Sequence, residues 1–277
     1  MPQDKNTTMN HTQLICSDID GTLLNKDREL SEKTIQEIKR LSQIPFILIS
    51  SRMPQAMVHL QKQLNNTHLP VIAYNGGLII DEGVILDTTE ISADAGEAIA
   101  GFCKETTIHV SLYHNDEWYV PEMDYWAKRE QNNTKVNPTV KPIVETLKTW
   151  RLEEKGAHKI MCMGDEKEID ALVIFIENNL SDEVIPYRSK PTYLEISHRK
   201  ISKKTAIKTL LNLRYPELSF KDILAFGDNY NDIEMLEAVG IGVAVKNAKE
   251  EVLAIADVVT ETNKEDGVAL FLEKLKS

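Results

Sequence analysis

Phe46-Ile47-Leu48-Ile49 is apolar at every position, and the device repeats along the chain: Gln13–Ser17, Val71–Ala73, Ile223–Phe226 and Gly240–Val245 are equally short and nearly as apolar. A strand with one wet face alternates apolar and polar residues. A run without alternation must be covered on both faces, as in a parallel sheet sandwiched between helices. Segments with helical spacing lie between these runs. Ser31 caps one that carries Ile35, Ile38 and Leu41, and Pro54 opens another. Further helices start near Ser202, at Asp232 (to Ala238) and at Ala248, and Asp257–Val259 reads as a last strand. This order predicts an α/β fold built on a doubly wound, mostly parallel sheet. Ligands of such sheets bind beyond the carboxyl ends of the strands.

From Asp87 to Arg188 the texture changes. Helical patterns (Ser92–Lys104, Lys141–Trp150, Glu166–Asn178) mingle with strands (Ile108–Tyr113, Trp118–Val120, His158–Met163, Val184–Arg188), and all three tryptophans fall here. Residues 87–188 therefore read as an inserted α/β domain, dividing the first domain into 13–86 and 189–277. A tight turn at Asn75-Gly76 leads into Leu78–Ile80, with a second turn at Glu82-Gly83, before the insert. Residues 1–12 are polar and read as a disordered tail, with Met9 an alternative start.

The chain of 277 residues is 42% hydrophobic, enough for a sizeable core, and carries a formal charge of −11. That charge disfavours nucleic acid and anionic membrane surfaces as partners. An anionic substrate needs a local cation. Cys16, Cys103 and Cys162 are scattered, odd in number and without a CxxC pair, so Cys16 and Cys162 read as core thiols. No apolar run approaches a membrane span, and the protein is expected in the cytoplasm.

If strand exits carry the chemistry, the first is the most telling. Gln13–Ser17 runs into Asp18-Ile19-Asp20-Gly21-Thr22. On a continued strand, Asp18 and Asp20 project to one side, and two adjacent carboxylates need a shared cation or proton. Gly21 allows a sharp turn. A calcium loop is excluded by Leu23 at the place its template reserves for glycine, and a solvated Asp-Gly turn is the plain alternative. The second exit is Ser50-Ser51-Arg52, whose hydroxyls and N–H groups suit a phosphate; the alternative is simple capping of the next helix. The third is Gly227-Asp228-Asn229-Tyr230-Asn231-Asp232. The spacing of Asp228 and Asp232 allows them one helix face, with Asn231 close by, or else a bland role at a helix start. Two acidic exits favour a shared hard cation such as Mg2+. Ser202-Lys203-Lys204-Thr205 opens a helix, where Lys203 can supply the positive charge a phosphate needs; a lysine at a helix start runs against the dipole, and the plain alternative for such a pair is two solvated surface charges.

In this order the motifs resemble those of the haloacid dehalogenase superfamily of phosphohydrolases, and most of all its Cof-type branch with a large inserted cap. The similarity extends from Leu14 to the C-terminus. It rests on Asp18–Thr22, Ile49–Arg52, Tyr74–Gly77, Ile201–Ala206, Ala225–Leu236, Gly242–Ala244 with Asn247-Ala248, and Glu265–Val268. Ser51 and Lys204 replace glycines, and Val245-Lys246 a Met-Gly pair, of the branch's usual pattern; Lys204 and Lys246 are expected in solvent. The resemblance implies a Rossmann-like catalytic core and a phosphatase for a small phosphorylated metabolite, with a sugar phosphate favoured. It implies Asp18 as nucleophile, forming an aspartyl-phosphate, and Asp20 as general acid and base. Mg2+ would bind the Asp18 carboxylate, the Asp20 carbonyl and Asp228. Lys203, Ser50, Asn231 and backbone N–H groups near Ile19 and Ser51 would hold phosphoryl oxygens, with Asp232 behind them. Arg52, Asn75 and Gly76 are expected on the substrate side, and Tyr113, Trp126, Arg129 and Arg188 are cap candidates for specificity. A phosphomutase and a non-catalytic metabolite sensor are the alternatives; dehalogenation leaves Asp20 and the metal carboxylates without a task.

Overall fold

The computed structural model describes residues 11–276, so most of the tail expected at 1–12, with Met9, lies outside the described residues. In chain order the strands are β1 Leu14–Ser17, β2 Phe46–Ile49, β3 Val71–Ala73, β4 Leu78–Asp81, β5 Val84–Thr88, β6 His109–His114, β7 Glu117–Val120, β8 Thr139–Val140, β9 Lys159–Met163, β10 Val184–Lys190, β11 Tyr193–His198, β12 Ile223–Gly227, β13 Ile241–Val245 and β14 Val258–Thr260. The helices are α1 Glu32–Arg40, α2 Gln55–Leu64, α3 Ala93–Cys103, α4 Tyr125–Thr134, α5 Ile143–Leu152, α6 Glu166–Asn179, α7 Lys203–Arg214, α8 Ile233–Ala238, α9 Glu250–Ile255 and α10 Gly267–Leu272.

The chain divides into two compact units. One takes in the residues up to Ser51, Met57–Asp87 and everything from Ser202 on; the other holds Arg52–Ala56 and Thr88–Ile201. The first is built on an eight-stranded sheet ordered β14-β13-β12-β1-β2-β3-β4-β5. β1 pairs in parallel with both β12 and β2, so the winding reverses at β1. That reversal opens a crevice at the carboxyl ends of β1 and its neighbours. The return strand β4 runs antiparallel to its neighbour β3.

The absence of alternation in these strands has the expected cause: β1, β2, β12 and β13 are buried at every residue. On one face Cys16, Ile47, Ile49 and Ala225 pack with Ile207, Leu210, Met235 and Leu236. On the other, Phe226 meets Phe271 edge to face with centroids 5.6 Å apart. Ser31 caps α1 as expected, accepting from the Thr34 N–H. All three cysteines are free and buried. Among the described residues, no helix is long and apolar enough to cross a membrane.

The second unit carries a six-stranded sheet ordered β10-β11-β9-β6-β7-β8. Its boundary corrects the sequence reading. β10 and β11 form an antiparallel hairpin, and β11 pairs with β9, so the insert reaches Ile201 rather than ending at Arg188. α4 was not expected either, because its sequence is polar on nearly every side. One face of the sheet packs Val110, Leu112, Ile160, Cys162, Leu194 and Ile196 against Ile99, Leu147 and Leu172 of the helices.

A buried polar network closes one side of this unit. His158 Nδ1 accepts from the Asn115 N–H at 3.1 Å, which requires a lone pair there and puts the ring proton on Nε2. Nε2 lies 2.9 Å from Thr88 Oγ1, which donates to Glu90 Oε1 at 3.2 Å. His114 Nδ1 donates to the Gly156 carbonyl at 2.8 Å, and the Gly156 N–H donates to Glu90 Oε2 at 2.6 Å. Ligand atoms of Glu90, His114 and His158 lie within 4.8 Å of one another. The two ring nitrogens nearest Glu90, His114 Nδ1 and His158 Nε2, both carry protons in these bonds. They offer no lone pair to a cation, so the cluster is a structural tie.

Burial, and next the adjacent His114, push His158 down to about 3. An unfolded histidine takes its proton near pH 6.5 and this folded one does not, so its contribution to stability is lost as pH falls below about 6.5, at about 1.4 kcal/mol per pH unit. Between pH 7 and pH 5 the wild-type protein should therefore lose about 2 kcal/mol more stability than His158→Gln, measured by denaturant unfolding. Equal losses in the two proteins would remove His158 as the cause.

Candidate active site

The site lies wholly in the first unit, where β1 and β12 end side by side. β1 stops at Ser17, and the Asp18 N–H donates to the Phe226 carbonyl at 3.0 Å, which fixes Asp18 at the mouth of the sheet. Lys203 is the first residue of α7, behind a reciprocal cap between Ser202 and Thr205. Its side chain is fully buried. The ammonium lies 2.5 Å from Asp18 Oδ1 and 2.6 Å from Asp232 Oδ1. Asp232 Oδ2 accepts from the N–H groups of Asp228 (2.9 Å) and Asn229 (3.0 Å). Both oxygens of Asp232 are thus engaged, and it braces the lysine and the turn that presents Asp228.

Ligand oxygens of Asp18, Asp228 and Asp232 lie within 4.8 Å of one another. Burial pushes Asp18 well above the usual carboxylate range, against the pull of Lys203. Asp228 is raised to about 6, by burial first and by Asp232 next, while the Thr22 hydroxyl works the other way. For Lys203, burial alone would lower the value, but Asp18 and Asp232 outweigh it and hold the ammonium charged well above the usual lysine range. One lysine among three carboxylates leaves the pocket short of positive charge. The donors are hard oxygens, so the residues fit Mg2+, with Asp18 and Asp228 the carboxylates able to hold it.

Close packing sets the spacing. Gly21 has φ +90°, and a Cβ there would lie 2.4 Å from Asp228 Oδ2. Thr22 Oγ1 donates to Asp228 Oδ1 at 2.9 Å, and Asn247 Nδ2 donates to the Gly21 carbonyl at 2.8 Å. The second exit, after β2, presents a buried Ser50 and a half-buried Ser51. The Ser50 carbonyl accepts from the Asn75 N–H at 2.8 Å, and Asn231 Nδ2 donates to Asn75 Oδ1 at 3.0 Å. Gly76 has φ +110° and packs against Ala206 and the Ser202 carbonyl. The structure thus gathers Asp18, Ile19, Ser50, Ser51, Asn75, Gly76, Lys203, Asp228, Asn231 and Asp232 on one end of one sheet.

Some expectations need correction. Asp18 and Asp20 do not form a repelling pair. The chain leaves the strand at Asp18, which ends the alternation; Asp18 is buried, while Asp20 is exposed and paired with Arg28. The crowded carboxylates are Asp18, Asp228 and Asp232 instead. Asp228 and Asp232 do not share a helix face either, because α8 starts only at Ile233 and Asp232 folds back to cap the turn. Arg52 partitions with the second unit, where its guanidinium donates to the Ala56 carbonyl at 3.3 Å. In that unit Tyr113 stacks on Trp118, Trp126 packs edge-on to Tyr193, and Arg129 lies over the Tyr193 ring. Arg188 is taken up by Asp170 and the Pro191 carbonyl. Lys204 and Lys246 are exposed, as expected. Sequence reading gave no role to Thr22, Arg28 or Asn247. Thr22, directly after the Asp-Gly turn, and Asn247 fall within motifs of the resemblance; Arg28 carried no signal.

A methyl group on Gly21 would displace Asp228 and strain the backbone. Gly21→Ala should therefore lose about 1–3 kcal/mol of stability in denaturant unfolding. A loss below a few tenths would show that the Gly21–Asp228 approach is relaxed in solution.

Comparison with known proteins agrees with this geometry. Residues 15–272 match the model of a family described as haloacid dehalogenase-like hydrolases. A candidate phosphatase of Haemophilus influenzae is 32% identical over 265 residues, covering 94% of this chain and 97% of the relative. The 5-amino-6-(5-phospho-D-ribitylamino)uracil phosphatase YitU of Bacillus subtilis is 28% identical, covering 94% and 96%. Among solved structures, a haloacid dehalogenase-like hydrolase of Bacteroides thetaiotaomicron superposes with a TM-score of 0.86 at 25% identity, over 96% of this chain and 100% of its own. With two sheets, a family match over nearly the whole length and relatives of matching size, the chain belongs to the haloacid dehalogenase-like hydrolases and is a phosphatase.

Proposed function

We propose that the protein hydrolyses a small phosphorylated metabolite, a sugar or polyol phosphate, with Mg2+ and through a phosphorylated Asp18. The observation that carries this reading is the pair of strand exits that bring Asp18 and Asp228 together, with Lys203 bonded to Asp18 and Asp232 beside them. Lys203 takes Asp18 Oδ1 and so fixes the rotation of the carboxylate, leaving Oδ2 as the attacking atom. In the first step the Asp18 oxygen–phosphorus bond forms and the ester bond breaks. The departing alkoxide takes its electron pair and a proton from Asp20. In the second step Asp20 takes a proton from water, the water oxygen bonds phosphorus, and Asp18 is released. Bound Mg2+ supplies positive charge that lets a carboxylate approach an anionic phosphate.

The remaining residues position the phosphoryl group, which is most of what this reaction requires. The Ser50 hydroxyl, the backbone N–H groups of Ile19 and Ser51, and the Asn231 amide supply donors. Lys203 has a third N–H beyond the two its carboxylates take. The Bacillus relative's named substrate is a phosphorylated ribityl compound, and it supports a polyol phosphate here. The net charge of −11 argues against nucleic acid, and three free buried thiols suit a reducing cytoplasm. Asn75 and Gly76 stand on the substrate side in this reading.

Asp18→Asn should reduce phosphate release by at least about a thousandfold, because the amide cannot attack, while far-ultraviolet circular dichroism stays unchanged. Substantial hydrolysis by a folded Asp18→Asn protein would take Asp18 out of the nucleophile role. Excess chelator should abolish turnover of sugar phosphates and added Mg2+ should restore it. Full activity in chelator would rule out the metal.

A further inference from the structure

The turn between β13 and α9, residues 246–249, is bonded to both chain segments that bring carboxylates to the pocket. Asn247 Nδ2 donates to the Gly21 carbonyl at 2.8 Å. Two residues on, the Lys249 N–H donates to the Asp228 carbonyl at 2.9 Å. Asn247 is held from behind as well. Its Oδ1 accepts from the Asn263 N–H at 2.8 Å, and Asn263 Nδ2 donates to the Leu24 carbonyl at 2.7 Å. A carbonyl only accepts and a backbone N–H only donates, so these partners fix which way the Asn247 amide faces. The contact they secure has no slack, since a Cβ on Gly21 would lie 2.4 Å from Asp228 Oδ2. Ionised Asp18 and Asp228 repel one another at this range, and a free surface loop would relieve that by moving outward. The bonds from Asn247 and Lys249 oppose the movement, because both end on the same short turn.

We propose that Asn247 is a positioning residue that sets the separation of Asp18 and Asp228, and through it the preference for a small divalent cation over a larger one. The inference rests on the proposed Mg2+ site. Mg2+ demands short, near-octahedral bonds, whereas Ca2+ accepts longer ones and looser geometry. A pocket held at its closest approach suits the smaller ion. Freed from Asn247, the loop that carries Gly21 can recede from Asp228, which costs Mg2+ more than Ca2+. Asn247 itself acts only through Gly21 and touches neither the cation nor the phosphate.

The metal salts alone serve as probes, so binding is read without turnover. Wild type, Asn247→Ala and Asn247→Leu are titrated with MgCl2 and with CaCl2, by calorimetry and by the rise in Tm. The leucine matches asparagine in size and lacks its hydrogen bonds, which separates loss of the bonds from loss of bulk. Both variants should bind Mg2+ about tenfold more weakly than wild type and Ca2+ less than about threefold more weakly. The side chain is exposed, so Tm without metal should fall by no more than a few degrees. A generally loosened protein would instead lose both ions in equal measure. If the wild type binds Mg2+ and the variants bind it as tightly, or lose Mg2+ and Ca2+ alike, the positioning role is wrong. If the wild type binds no Mg2+, the metal reading itself fails.

Discussion

A fully buried ammonium group clasped between Asp18 and Asp232 organises the active end of this molecule. Removing a lysine from water is costly unless its charge is matched and its donors are used. Here two carboxylates do both, and a partnerless lysine at this position would destabilise the fold. Lys203 joins the start of α7 to the exits of β1 and β12, so the same contacts that stabilise the core also set the rotation of Asp18. Stability and catalytic geometry are therefore carried by one set of atoms.

Around that clasp, small residues make the approach of acids possible. Gly21 lets the loop after β1 come against Asp228, and Gly227 lets Asp232 fold back over the end of β12, where an added Cβ would lie 2.5 Å from the Asp232 Cβ. The result is a pocket with an excess of negative charge, which a divalent cation and a phosphate can share. Burial first, and that crowding next, raise Asp18 and Asp228 above the usual carboxylate range.

Much of the core was legible in the sequence because parallel strands buried on both faces leave apolar runs that nothing else explains. Their polar ends drew attention to Asp18, Ser50 and Asp228. Lys203 stood out because a lysine opposes the dipole at a helix start, and its burial between carboxylates supplies the reason. What could not be read was tertiary. The Arg28–Asp20 pair depends on a left-handed turn at Arg28, and the fold-back of Asp232 depends on Gly227. In the insert, the polar sequence of α4 conceals its helical period. Tyr193–His198 alternates like any half-buried strand, and only its pairing with β9 assigns it to the second sheet.

The claim beneath all of this is that Asp18, oriented by Lys203, bonds to phosphorus before water does. The stereochemistry at phosphorus tests it most directly, using a substrate whose phosphate is made chiral with oxygen isotopes. Two successive in-line displacements predict retention of configuration in the released phosphate. Inversion would mean a single direct attack by water, and would contradict the account.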